Sequence, residues 1–205
     1  MIGLVFFAIT YWITVRLGLL VMAQPEGIAS IWPVSGLALA ILLLNPKHQW
    51  AKLLTVIFAT NAIGNGSGGN SLPISLGFAL ANTLEPALAA WVLTYFFKSK
   101  ITFERTTEVC ALLFVATLIN SITAFLGATV SMLAFHGSFM DGWLIWWAAD
   151  GLGIILVTPF IVSWVAGKSV FPSASLRQTV EKVLFVLILA LFACLLFGPF
   201  TNAEK

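Results

Sequence analysis

The chain has 205 residues, 60% of them hydrophobic and only 9% charged, with a mean hydropathy of +1.03 and a formal net charge of +2. A soluble domain carries about a quarter charged residues, so the composition excludes one. It specifies an all-α, polytopic transmembrane helix bundle, because the apolar runs lack the alternation of a membrane barrel.

The first helix spans about Ile2 to Met22. It has no basic leading region and no small-x-small cleavage site, so it is read as a helix and not as a signal peptide. Gln24-Pro25-Glu26-Gly27 ends it. The second apolar run, Ile31 to Leu44, gives about 21 Å of helix against a hydrocarbon core of about 30 Å. Ser30 is its expected N-cap, and Pro33 is tolerated in a first turn. The third helix, about Trp50 to Gly64, is also short and breaks into the flexible loop Asn65 to Ser71. The fourth runs from about Leu72 to Phe97, the fifth from Thr107 to Phe135, and the sixth from Trp143 to Ala166. A basic connector, Lys168 to Lys182, leads to a seventh at about Val183 to Gly198.

All basic residues except Arg16 and Lys205 fall in one set of loops. That side is expected to be cytoplasmic, which puts the N-terminus inside and the C-terminus outside. The two short helices then meet the outer side and suggest an outward-facing bowl. Cys110 and Cys194 fall near opposite membrane faces, so no disulfide is expected.

The polar residues at membrane depth are few. Glu85 lies near the middle of the fourth helix, where a carboxylate costs several kcal/mol unless paired, hydrated or protonated. Pro86 follows it and cannot bond the carbonyl of Asn82, whose side chain shares Glu85's helical face. Arg16 and Asp150 lie at similar depth in the outer half. Two readings of Arg16 are open: pairing with Asp150 or sharing a ligand with it, and snorkelling to the headgroups. Trp146 and Trp147 precede Asp150 by one turn and flank it on one face. Both are also read as an interfacial aromatic belt, which suits Trp143 better. Asn61 and Asn120 sit among small residues, where interhelical hydrogen bonding is the plain explanation. The start of the second helix, with Trp32, Pro33 and Ser35, offers free N–H groups and a positive dipole end to an anion or to a nearby carboxylate. Pro33, Pro86 and Pro159 are the expected kinks.

No enzyme is expected. His48 and His136, the only histidines, sit in loops on opposite sides, so no serine or cysteine has a histidine at matching depth. Asp150 lacks the Gly-x-Gly-Asp context of intramembrane aspartyl proteases. No cluster has metal-ligand spacing and no loop resembles a phosphate cradle. No catalytic residue, metal or cofactor is assigned.

Three ordered stretches carry a family resemblance. Ile31-Trp32-Pro33-Val34-Ser35-Gly36-Leu37-Ala38-Leu39-Ala40 resembles the opening motif of the bacterial membrane-associated sensor family, type one (the MASE family). The Gly77 to Trp91 stretch, with Asn82 and Glu85, resembles its second motif. Trp146-Trp147-x-x-Asp150-x-x-Gly153, followed by Thr158-Pro159, resembles its third. The match runs from about Leu17 to Pro159. It implies motif positions at Trp32, Pro33, Ser35, Gly36, Asn82, Glu85, Trp147, Asp150 and Gly153. It also implies a multi-pass module of the bacterial inner membrane that feeds a sensor kinase, diguanylate cyclase or phosphodiesterase, hence two-component or cyclic di-GMP signalling. Such modules normally end with the chain inside, whereas seven helices end it outside. The chain is therefore expected to be one membrane domain, a fragment of a longer signalling protein, with a shorter free-standing relative as the other reading.

The leading expectation is a sensory input module that binds a small ligand in an outward-facing pocket. Its expected lining is Glu85, Asn82, Asp150, Arg16, Trp32, Ser35, Trp146, Trp147, Asn61 and Asn120. The alternatives are a solute-binding transport component and a non-binding scaffold for a partner membrane protein. Expected partners are the lipid bilayer, a cytoplasmic kinase or cyclase domain, the ligand and a second copy of the chain, with no nucleic acid.

Overall fold

The computed structural model describes residues 2–20, 22–23, 28–29 and 31–166. The expected seventh helix, its basic connector, the Gln24–Gly27 turn and Ser30 lie outside them. Among the described residues there are six helices: α1 Ile2–Leu19, α2 Pro33–Leu44, α3 Trp50–Ser67, α4 Leu72–Phe96, α5 Thr106–Phe135 and α6 Phe139–Ala166. The α4, α5 and α6 helices are long and apolar enough to cross a membrane, while α1 and α2 are shorter apolar helices. Their outer faces expose large apolar side chains, such as Phe6, Ile9 and Leu17 on α1 and Leu152, Leu156 and Phe160 on α6. Bare apolar surface on every face suits lipid and not water.

Three boundaries differ from the sequence reading. The first helix stops at Leu19, and Met22–Ala23 pairs antiparallel with Ile28–Ala29, with Met22 opposite Ala29. The third helix is not short. It has 18 residues, about 27 Å at 1.5 Å per residue. Its extra turn is held from within, because Asn65 Nδ2 donates to the Asn61 carbonyl at 3.0 Å and Ser67 Oγ to the Gly64 carbonyl at 3.0 Å. The sixth helix begins a turn early, at Phe139. The N-cap of α2 is Trp32, with no side-chain capping bond, and Pro33 opens the first turn. The α4 helix runs unbroken through Pro86, and α6 through Pro159.

Short connections make successive helices antiparallel, so the chain has two ends. The basic end carries Lys47, Lys52, Lys98, Lys100 and Arg105. The hairpin end carries the strand pair and the α3–α4 and α5–α6 loops. At the basic end, the buried Glu108 in the first turn of α5 accepts from the backbone N–H groups of Thr102 at 3.1 Å and Phe103 at 2.7 Å. That carboxylate holds Phe103 in the left-handed region, at φ 61°.

Helix α2 is buried between α4 and α6. Its contact with α6 is backbone on backbone: a Cβ on Gly36 would overlap the Gly153 carbonyl oxygen, and a Cβ on Gly153 would overlap that of Trp32. The Trp32 N–H donates to the Ala149 carbonyl at 3.3 Å, and Thr158 Oγ1 to the Gly36 carbonyl at 3.1 Å. Close glycine approach lets such bonds form between membrane helices. Toward the basic end, Leu39, Leu42, Leu93 and Ile154 form an apolar layer with no exposed surface above 1%.

Candidate functional site

At the level where α2 begins, polar side chains from five helices meet. Ser35, in the first turn of α2, donates its hydroxyl to Glu85 Oε2 on α4 at 2.5 Å. Asp150 on α6 lies beside Glu85, Ser35 and Trp146. Two neighbouring carboxyl groups inside an apolar bundle call for a proton or a cation, since like charges at low dielectric repel strongly. Both residues are almost wholly buried, at 1% and 2% exposure.

Asn82, one turn before Glu85, donates from Nδ2 to Asn61 Oδ1 on α3 at 3.1 Å. Asn61 Nδ2 in turn donates to the Tyr11 hydroxyl on α1 at 2.7 Å. The ladder continues toward the hairpin end. Asn65 bonds back to the Asn61 carbonyl, and Asn70 Nδ2 donates to Asn65 Oδ1 at 3.2 Å. Asn70 is half-buried beside the exposed Gly68–Gly69 turn, so asparagines run from beside the carboxyl pair toward the surface.

A cavity of about 30 Å³ lies on the hairpin side of the pair, bordered by Trp32, Asn65, Phe78, Asn82, Trp146 and Asp150. Three buried polar atoms of its lining residues have no protein hydrogen-bond partner, Trp32 Nε1, Asn82 Oδ1 and Asp150 Oδ2, and the same holds for Glu85 Oε1 just behind it and Asn120 Oδ1 between α5 and α6. Buried polar atoms are almost always paired with protein or ordered water, so such a cluster marks a place for something else. Glu85 sits one step behind the cavity, against Ser35. The two aromatic walls rest on glycines. Trp32 covers Gly18 of α1 and Trp146 covers Gly127 of α5, where any Cβ would collide with an indole ring.

The structure thus brings together Ser35, Asn82, Glu85, Asp150, Trp32 and Trp146, with Asn61 behind Asn82. Three expected site residues lie elsewhere. Arg16 does not pair with Asp150. Its Nη1 points to the Gly64 carbonyl at 3.4 Å, at the C-terminal end of α3, where the helix dipole favours a cation. Trp147 turns away to α5 and donates from Nε1 to the Thr117 carbonyl at 2.8 Å. Asn120 bridges α5 and α6, donating to the Trp147 carbonyl at 2.8 Å and the Ala116 carbonyl at 3.2 Å. A π-helical turn at Val115–Ile119 lies at both contacts. There the Asn120 backbone N–H reaches back to the Val115 carbonyl, and the Ala116 carbonyl accepts from the Asn120 side chain instead. The first turn of α2 meets a carboxylate of the chain itself, through Ser35.

Sequence reasoning missed Tyr11, Asn65 and Asn70. Asn65 follows Asn61 by one turn on the same face, a signal that the assignment of residue 65 to a loop concealed.

A family model described as MASE1 matches residues 3–201. No curated protein and no solved structure matches the chain significantly.

Proposed function

The chain belongs to the MASE1 family of membrane-associated sensory domains, and from that premise we propose that it is a non-catalytic input module. It binds a small ligand beside Asp150 and Asn82 and passes the occupancy to a cytoplasmic kinase or cyclase domain of a longer protein. In this reading the basic end faces the cytoplasm of a bacterial cell, the hairpin end faces outward, and the module works in the inner membrane with a second copy of itself.

The observation that carries the reading is the set of unpartnered buried atoms around one cavity. A helix bundle built only for stability pairs such atoms or replaces them with apolar ones. Transmission follows from the contacts. Glu85 ties α4 to α2 through Ser35, and α2 is locked to α6 by its glycine contact. A ligand that pulls on Asp150 and Asn82 acts on α6 and α4 together. The solute-transport reading is less supported, because the apolar layer of Leu39, Leu42, Leu93 and Ile154 lies beneath the site.

The test is to fuse the chain to a reporter kinase or cyclase domain and measure output in membranes. Asp150→Asn should fix the output at one level, whereas Trp147→Phe, outside the cavity, should leave its range unchanged. Equal responses from both variants, or solute uptake by vesicles containing the chain, would reject the sensory reading.

A further inference from the structure

We propose that the cavity beside Asp150 is a binding site for a small alkali cation of sodium size. Its side-chain ligands are Asn82 Oδ1 and Asp150 Oδ2, completed by one water, with the Glu85 carboxyl behind them as the second acidic group. The proposal takes its location from the pocket reading above, but it does not depend on signalling.

Charge comes first. Two carboxyl groups meet in the interior, and neither has an ion pair among the described residues. Of the two basic residues within the described helices, Arg16 is held at the C-terminal end of α3 and Lys52 lies in the first turn of α3 at the basic end. Among the described residues no side chain supplies the positive charge that such a pair calls for, so it falls to a proton or a bound cation.

Donor chemistry comes second. The unpartnered atoms of the cavity lining are two oxygens and one N–H. An acceptor-rich set of carboxylate and carboxamide oxygens suits a hard cation. Among the described residues no group of three or more His, Cys, Asp and Glu could hold a metal ion, which disfavours transition metals. The Trp32 Nε1–H, which repels a cation, suits the oxygen of a water bound to it.

Size decides between the remaining ions and organic ligands. A water needs about 10–15 Å³ of such space, so a cavity of about 30 Å³ holds roughly two. Organic ligands fill pockets of about 300–1,000 Å³. Calcium takes about six to eight oxygens, and magnesium retains several waters in an octahedron. Two side-chain oxygens and the one water that fits beside the ion are too few for the first, and the space is too small for the hydrated second. Access runs along Asn65 and Asn70, whose carboxamides can replace hydration waters between the exposed loop and the site.

The test uses the 205-residue chain in lipid nanodiscs at pH 8. Tryptophan fluorescence is titrated with NaCl at ionic strength held constant by choline chloride, and bound ²²Na is counted in parallel. Trp32 and Trp146 border the cavity, so filling it should change their emission. The expected result is a saturable sodium response with one ion per chain, at least ten-fold weaker with choline alone. It should be lost in Asp150→Asn, weakened in Asn82→Ala and kept in Trp147→Phe. If Asp150→Asn does not fold by size-exclusion chromatography, the comparison of Asn82→Ala with Trp147→Phe carries the test. Absence of saturable sodium binding in the wild type, a response to protons alone, or a response unchanged in Asn82→Ala would overturn the proposal. Sodium binding without any change in the output of the fused reporter would sink the sensory reading and leave the cation site standing.

Discussion

Ser35 Oγ and Glu85 Oε2 lie 2.5 Å apart, joining the first turn of α2 to the middle of α4. A carboxylate otherwise costly at that depth gains a hydroxyl donor from a helix that starts inside the bundle. The same α2 turn is pressed onto α6 through Gly36 and Gly153, so three helices meet at one point.

Removing that donor should be felt in stability. Hydrogen bonds to charged groups contribute about 1.5–3 kcal/mol, and Ser35→Ala removes the hydroxyl that donates to Glu85. Denaturation in detergent micelles should show a loss within that range. A loss below about 0.5 kcal/mol would mean that the contact is not a hydrogen bond that matters to folding.

The glycine contact gives a sharper contrast. An added methyl at Gly36 overlaps the Gly153 backbone oxygen, which cannot move as a side-chain tip does. Overpacking costs about 1–3 kcal/mol, at times more, so Gly36→Ala should lower the thermal midpoint markedly. Gly3 has nothing within 4 Å of a built Cβ, and Gly3→Ala should gain about 0.5–1 kcal/mol from helix propensity. Equal effects at the two positions would remove the packing argument.

Arg16 separates two electrostatic accounts. A guanidinium at a helix C-terminus contributes about 0.3–1 kcal/mol, whereas breaking a buried ion pair costs about 3–5 kcal/mol. Arg16→Ala should therefore give the smaller loss in chemical denaturation. The larger one would indicate that Arg16 pairs with Asp150 after all.

The two adjacent tryptophans should part company. Trp147→Phe loses the bond to the Thr117 carbonyl, worth about 1 kcal/mol, and should leave output in a reporter fusion intact. Trp146→Phe opens space beside Asp150 and should change the output range. Identical output from both would place the cavity outside the signalling route.

Much of this was legible in the residues. Isolated carboxyls in apolar runs marked Glu85 and Asp150, and the Trp-Pro-x-Ser-Gly start of α2 marked its submerged N-terminus. The extent of α3 was not legible, because Asn65-Gly66-Ser67 reads as a loop until its side chains are seen bonding back onto the helix. Nor was the split between Trp146 and Trp147. Helical spacing placed both beside Asp150, but the π-turn in α5 gave Trp147 another partner, and Gly127 gave Trp146 its seat. Depth alone matched Arg16 to Asp150. The dipole of α3 offered it a competing site that no spacing rule reveals.

The central claim is that the space between Trp32, Asn82 and Asp150 is built to be filled. An experimental structure of the purified protein in lipid, at a resolution that shows ordered water, tests it most directly. Non-protein density is expected within hydrogen-bonding distance of Asn82 Oδ1 and Asp150 Oδ2. A cavity closed by direct side-chain bonds among these residues, or by Arg16 turned onto Asp150, would contradict it.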